Sequence, residues 1–307
     1  DVMPGVVTLP SAQLLAALGA GAIVFGSVVA LRQQRLKLLI AYSTLAQIGY
    51  LFLMFPLAFD TGSGELQRSD ALTGGLLQAI SHATAKAAMF MAAGLIYAAL
   101  GHDRIAELRG VAGALPISLL AFALGGVALM GLPPSGAYAA KKLLLDAAAE
   151  TGQWWWELVM QAGGLLTTSY VLLVLGHALS PANAPVKLRV SVPRLQEASA
   201  LALALCSLLF GLASMGPVSV DTLSLIPKEL WSALLLVLGG RVLAIGLGYR
   251  LPPSTPVGDV AIVSSVRRAT VAAGRALERA DDALRQWPVA GLSLLVLVIA
   301  FVAAMLS

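Results

Sequence analysis

Ser81-His82-Ala83-Thr84-Ala85-Lys86 places two titratable groups one helical turn apart inside an apolar stretch from Ala71 to Leu100. A helix of that length crosses a bilayer, and residues four apart share one face. A lysine near the middle of such a helix costs about 2.5–3.5 kcal/mol on insertion scales. Burial disfavours the charged form of an amine, which lets it exchange a proton. An imidazole accepts on one nitrogen and donates on the other, which suits a relay. The bland alternatives are a snorkelling or salt-bridged lysine at Lys86 and a satisfied core histidine at His82. Two titratable groups stacked at membrane depth point instead to a proton path. Gln78, one turn earlier, extends the polar stripe; it cannot titrate but can orient water.

A second amine follows a helix break. Gly131-Leu132-Pro133-Pro134-Ser135-Gly136 divides Pro116–Met130 from Ala137–Ala149, and Lys141 and Lys142 come directly after it. Pro133 and Pro134 remove backbone donors and disfavour helix at the preceding residue. An interruption at membrane depth must be packed in protein or line a cavity, and discontinuous helices are typical of ion-coupled transporters. Lys142 points about 100° round the helix from Lys141. Asp146 stands four residues beyond Lys142, the spacing of a structural ion pair. That leaves Lys141 as the functional amine. Ser43, Thr44 and Gln47, with Thr167, Thr168, Ser169 and Tyr170, supply further polar groups. They hold either a water chain or one another between helices. Arg241, after Gly239-Gly240, falls near the centre of an apolar run and requires a partner or a water pocket. His102 and His177 read as ordinary residues of the inner boundary.

The rest of the chain must position these groups within a membrane. Of 307 residues, 58% are hydrophobic and 12% charged, against about 25% charged in soluble domains; the mean hydropathy is +0.85. The expected fold is all-α: a polytopic membrane helix bundle of about eight transmembrane helices. The crossings are Ser11–Leu31, Leu38–Phe59, Ala71–Leu100, the broken Pro116–Ala149, Trp154–Leu179, Leu195–Ser214, Leu230–Tyr249 and Pro288–Leu306. With the N-terminus outside, fourteen of the twenty lysines and arginines fall inside, Arg68 and Lys228 fall outside, and four lie within crossings. The positive-inside rule thus supports this topology, with both termini outside. Trp154-Trp155-Trp156 reads as an interfacial aromatic belt.

Pro252–Trp287 carries five arginines and four carboxylates between regularly spaced valines and leucines. It reads as an amphipathic lateral helix lying on anionic headgroups or on a partner subunit. The domain organisation expected is 1–179, 180–251, 252–287 and 288–307. Cys206, the single cysteine, excludes an intramolecular disulfide and reads as a small core residue. Three scattered histidines and one cysteine supply no four-ligand metal site, and no phosphate loop is present. No cofactor and no nucleic-acid partner are expected. The chain opens on Asp1, so it is expected to be processed or cut from a longer protein, and no secretory signal is evident.

Three segments together resemble a known family. Lys37 with Ala41-Tyr42-Ser43-Thr44 and Gln47-Ile48-Gly49 is similar to its "K-x-x-x-A-Y-S-S/T-x-x-Q-I-G" segment. His82-Ala83 with Lys86, Phe90 and Gly94 resembles "H-A-x-x-K-x-x-x-F-x-x-x-G", and Arg109-Gly110 and Pro116 match the approach to the broken helix. Gly131-Leu132-Pro133-Pro134 with Tyr138 and Lys141 resembles "G-x-P-P-x-x-G-F-x-x-K". The family is that of the antiporter-like subunits of respiratory complex I, membrane-bound hydrogenases and Mrp-type cation/proton antiporters. The likeness is specific from about Ser11 to Leu179 and only architectural beyond. Ala137 replaces the family's glycine, Tyr138 its phenylalanine, and Gln78 stands where some members have a histidine.

The resemblance implies a proton-translocating subunit in which His82 and Lys86 link a hydrated axis to Lys141. It covers the second of the family's two inverted five-helix repeats, with a C-terminal extension. Redox chemistry in partner subunits would drive it, within the inner membrane of a bacterium or an equivalent energy-transducing membrane. The partners would be other membrane subunits, lipid headgroups at the lateral helix, and protons or sodium. Alternative readings are a subunit of a Mrp-type Na+/H+ antiporter or of an inorganic-carbon uptake complex, without a redox partner. A further alternative is a structural membrane subunit that conducts nothing.

Overall fold

The computed structural model describes residues 8–59, 69–182, 185–214 and 234–245. All of these fall within one compact unit, Asp1–Leu251. The lateral helix and last crossing expected from the sequence lie outside the described residues. The helices are α1 (Leu9–Leu31), α2 (Leu36–Leu57), α3 (Ser69–Leu100), the single turn α4 (Val111–Ala114), α5 (Pro116–Met130), α6 (Gly136–Glu150), α7 (Trp154–Leu179) and α8 (Arg194–Ser214). A further helix, α9, spans Leu234–Ile245. Among the described residues there is no strand beyond an isolated bridge between Arg35 and Arg104. The chain is an all-α, multi-pass membrane bundle; among the described residues five helices (α1, α2, α3, α7 and α8) are long and apolar enough to cross a bilayer. The expected fourth crossing is shared between α5 and α6, each of 15 residues.

Local chemistry sets the ends of these helices. Pro10 sits in the first turn of α1, where its missing N–H is no loss, and the Ser11 hydroxyl accepts the Thr8 N–H at 3.0 Å. Asp103 holds the α1–α2 turn against the loop after α3. Its carbonyl accepts the Leu36 N–H at 2.7 Å and its carboxylate accepts the Lys37 N–H at 3.4 Å. A carboxylate at that position also complements the positive end of α2. Glu197 does the same between α8 and α5: buried, it accepts from the Ser118 N–H at 3.3 Å and the Ser118 hydroxyl at 2.7 Å.

Helix α3 occupies the middle of the bundle, packed against α2, α5, α6 and α8. Its 32 residues span about 48 Å at 1.5 Å per residue, well beyond a hydrocarbon core of about 30 Å. Helices α1 and α2 approach closely along small residues. A Cβ on Gly19 would meet the Gly49 carbonyl oxygen at 2.6 Å, and one on Gly26 the Ala46 nitrogen at 2.7 Å. Without a hydrophobic drive between helices in lipid, such close backbone contact is the main source of association.

The two ends of the bundle differ in charge. Arg32, Arg35, Lys37, Arg104, Arg109 and Arg189 belong to the end where Arg35 bridges Arg104 and where the Arg189 N–H donates to Ala99. Asp70, Glu150 and Glu157 belong to the opposite end. There, Gln153 ties three helices: its oxygen accepts from Gln13 at 2.7 Å and its amide nitrogen donates to the Pro56 carbonyl at 3.1 Å. Trp154 and Trp155 are exposed at this end, as an aromatic belt requires, but Trp156 is buried and its indole N–H donates to Gln13. Cys206, expected in the core, is exposed on α8, because the face of α8 that packs on the bundle is the one bearing Ala200, Ala204 and Ser207.

Gly49→Leu will force α1 from α2 and lower the unfolding temperature of the detergent-solubilised protein, at an overpacking cost of about 1–3 kcal/mol. Gly21→Leu, where an added Cβ meets nothing within 4 Å, will leave that temperature unchanged.

Candidate functional site

The site is a polar layer between two hydrophobic clusters. Along α2, Leu36, Leu39 and Ile40 belong to one cluster and Tyr50, Leu53 and Leu57 to the other. Ser43 and Gln47 lie between them, both buried. The order repeats in α7, where Trp156 and Met160 join the second cluster, Tyr170 and Val174 the first, and Thr167 falls between. In α3 the buried Gln78, His82 and Lys86 occupy successive turns of the same layer.

Lys86 is 5% exposed and is solvated by α2 rather than by a carboxylate. Its Nζ donates to the Ile40 carbonyl oxygen at 3.0 Å and to the Ser43 hydroxyl. Ser43 in turn donates to the same carbonyl at 2.9 Å. One turn on, the Gln78 amide donates to Gln47 at 3.0 Å, and the Gln47 amide donates to the Thr167 hydroxyl at 3.3 Å. The fully buried Tyr170 hydroxyl lies among Ser43, Gln47 and Thr167 but makes no hydrogen bond of good geometry. His82 lies between the two bonded groups in sequence, and its Nδ1 is buried without a partner. Orphaned buried polar atoms of this kind mark positions that ordered water satisfies.

Lys141 approaches the layer from the break. Helix α5 closes on Gly131 at φ +68°, a conformation that glycine adopts without strain. Helix α6 starts at Ser135, whose hydroxyl accepts the Tyr138 N–H at 3.1 Å, a regular N-cap. The break is enclosed by protein: a Cβ on Gly211 of α8 would strike the Pro134 and Ser135 backbone, and one on Gly136 the Ser81 hydroxyl. Lys141 Nζ donates to Gln161 at 3.3 Å. Gly164 makes room for it, since a Cβ there would sit 2.8 Å from that nitrogen. A void of about 20 Å³ separates Lys141 from Gln47 and Gln78, enough for one water. On its other side Lys141 lines a cavity of about 270 Å³ with Tyr138, Lys142, Asp146 and Gln161.

The structure thus brings Lys86, Gln78, Ser43, Gln47, Thr167 and Lys141 to one layer, with Pro133 and Pro134 bordering it. It does not bring Thr168 there: that hydroxyl donates to Gly164 of its own helix at 2.9 Å, and its side chain packs against Gly240. Arg241 lies away from the layer, beside a separate cavity with Arg109 and His177. The i,i+4 spacing of Lys142 and Asp146 does not close into an ion pair. Both side chains are exposed on the rim of the Lys141 cavity, where water competes for each charge.

A family model described as NADH:quinone oxidoreductase/Mrp antiporter, transmembrane, matches residues 2–167, more than half of the chain. The chain belongs to this family. It is 33% identical over 132 residues to NADH-quinone oxidoreductase subunit N of Desulforudis audaxviator, covering 43% of this chain and 25% of that protein. It is 30% identical over 261 residues to NAD(P)H-quinone oxidoreductase chain 4 1 of Synechococcus sp., covering 84% of this chain and 43% of that one. The chain therefore spans less than half the length of either relative. Among solved structures, the Mrp complex from Dietzia sp. DQ12-45-1b shares the fold with a TM-score of 0.58 at 22% identity, over 78% of this chain and 47% of that one.

Within this family member, sequence reasoning passed over two contributors to the layer: Gln161 and the Ile40 carbonyl. Gln161 carried a signal, an amide in an apolar helix a turn and a half before Thr167. The Ile40 carbonyl carried none, because a backbone acceptor has no sequence signature. Gln47→Leu will strip Gln78 of its acceptor and Thr167 of its donor. It will cost about 1–3 kcal/mol, read as a lower unfolding temperature, whereas Thr168→Val will cost less because its hydroxyl bonds only to its own helix.

Proposed function

We propose that this protein is a proton-translocating, antiporter-like subunit of a multi-subunit membrane complex, with Lys86, His82 and Lys141 as its proton-transfer groups. The observation that supports this best is the polar layer itself. A buried amine, Lys86, and a half-buried one, Lys141, are joined by hydroxyls, amides and a water-sized void, with no carboxylate in it among the described residues. A structural lysine would be expected beside a carboxylate, whereas this one is held by a carbonyl and a hydroxyl, partners that tolerate both its charged and its neutral form.

In this reading Lys86 exchanges its proton through Ser43 and the water that Tyr170 and His82 hold. The amides of Gln47 and Gln78 do not titrate; they orient the next water in the void facing Lys141. Lys141 passes the proton to the cavity beside Gln161 and Tyr138. The break supports this by ending α5 short of Lys141, so that its amine faces both voids. The basic end of the bundle is assigned to the cytoplasmic side and the N-terminus to the outside. Residues 1–179 act as the second five-helix repeat, and the driving event is redox chemistry in partner subunits.

The test uses the intact complex in sealed vesicles. Lys86→Ala and Lys141→Ala will each lower proton translocation at least about tenfold, more than 1.4 kcal/mol on the rate-limiting barrier, while the complex still assembles. Glu107→Gln, on the exposed loop after α3, will not. Normal pumping by Lys86→Ala would remove it from the path. Native mass spectrometry of the complex decides the driver: iron–sulfur or flavin partners fit redox drive, and their absence fits cation exchange.

A further inference from the structure

A second cavity, of about 600 Å³, opens between the last turns of α7 and helix α9, lined by Arg109, His177 and Arg241 together with leucines 172, 175 and 179. Among the described residues no carboxylate lines it. Neither arginine has a hydrogen-bond or ion-pair partner among the described residues. His177 Nδ1 is 2.9 Å from the Leu173 carbonyl, which leaves Nε2 as the uncommitted ring nitrogen. The Ser180 hydroxyl is spent on Gly176 at 2.6 Å. The charged groups left to meet a ligand are therefore the two arginines, Arg109 and Arg241.

An unpaired arginine on an apolar helix calls for a countercharge. Arg241 follows Gly240, which packs on Thr168, and lines the cavity together with the last turn of α7. Arg109 reaches the same cavity from the loop before α4, where the Gly110 N–H donates to Ser180 at 2.9 Å. The cavity thus has two chemistries, a cationic rim and a leucine wall. It lies at the basic end of the bundle, where the membrane surface is met.

We infer that this cavity binds the phosphodiester headgroup of an anionic phospholipid, with Arg109 and Arg241 on the phosphate and an acyl chain along the leucine wall. A free phosphate would satisfy the arginines but leave the leucines against water; a zwitterionic lipid would bring its own cation to a site that already holds two. Basic pockets between transmembrane helices are a recurrent form of anionic lipid recognition, and paired arginines suit phosphate because their planar donors match its oxygens. The site is separate from the Lys86–Lys141 layer, so the inference stands whether or not that layer conducts protons.

The test is native mass spectrometry of the delipidated complex titrated with short-chain phosphatidylglycerol. The wild type is expected to retain one lipid more than Arg241→Gln, whose affinity falls at least roughly tenfold, the scale of a lost charge-assisted hydrogen bond. Arg241→Lys will fall less, and Arg104→Gln, outside the cavity, will match the wild type. Should Arg241→Gln fail to assemble, Arg109→Gln on the exposed loop carries the same expectation. Equal binding of phosphatidylcholine, unchanged lipid binding in both arginine variants, or displacement of the lipid by inorganic phosphate at equal concentration would each overturn the inference.

Discussion

Everything in this bundle is arranged around the need to solvate one amine. Lys86 sits on the central helix at a depth where water does not reach it freely, and a bare ammonium there would be prohibitive. Helix α2 answers with the Ile40 carbonyl and the Ser43 hydroxyl. That answer fixes the register of α2 against α3, and it fixes Gln47 opposite Gln78 one turn away. The close α1–α2 packing along Gly19, Gly26 and Gly49 then holds α2 from behind. A shift of α2 by one residue would turn both Ser43 and Gln47 away from the layer.

The helix break is the second constraint, and it follows from the first. An uninterrupted helix at this position would carry Lys141 past the layer on a rigid rod. Gly131 and the two prolines end α5 at mid-depth, and Ser135 restarts the chain as α6 with a new cap. Backbone freed in this way must be covered by protein. Gly211 of α8 lets a backbone come close enough to do so, and Ser81 of α3 covers the other side. The small residues on α8 are thus part of the architecture of the site although none of them titrates.

Between the two amines the layer is polar and, among the described residues, free of carboxylates. Its hydroxyls and amides can donate to and accept from water, and none of them carries a fixed charge. The Nδ1 of His82 and the hydroxyl of Tyr170 are buried in it without a hydrogen-bond partner among the described residues.

The sequence alone determined the membrane class, the long helices, the break at Pro133-Pro134 and the pairing of Lys86 with His82 on one face. These follow from periodicity, length and proline chemistry, which are local. It also determined the family, because each motif is a short local segment. Tertiary structure decided which polar residues meet. Thr167 and Thr168 are neighbours of the same type, yet one turns to Gln47 and the other to its own helix. Lys142 and Asp146 have the spacing of a pair, yet both face an open cavity where water solvates them separately. Arg241 reads in the sequence as a member of the site but lines a separate cavity. In each case the outcome rests on the neighbouring helix that faces the side chain, and no local pattern encodes that.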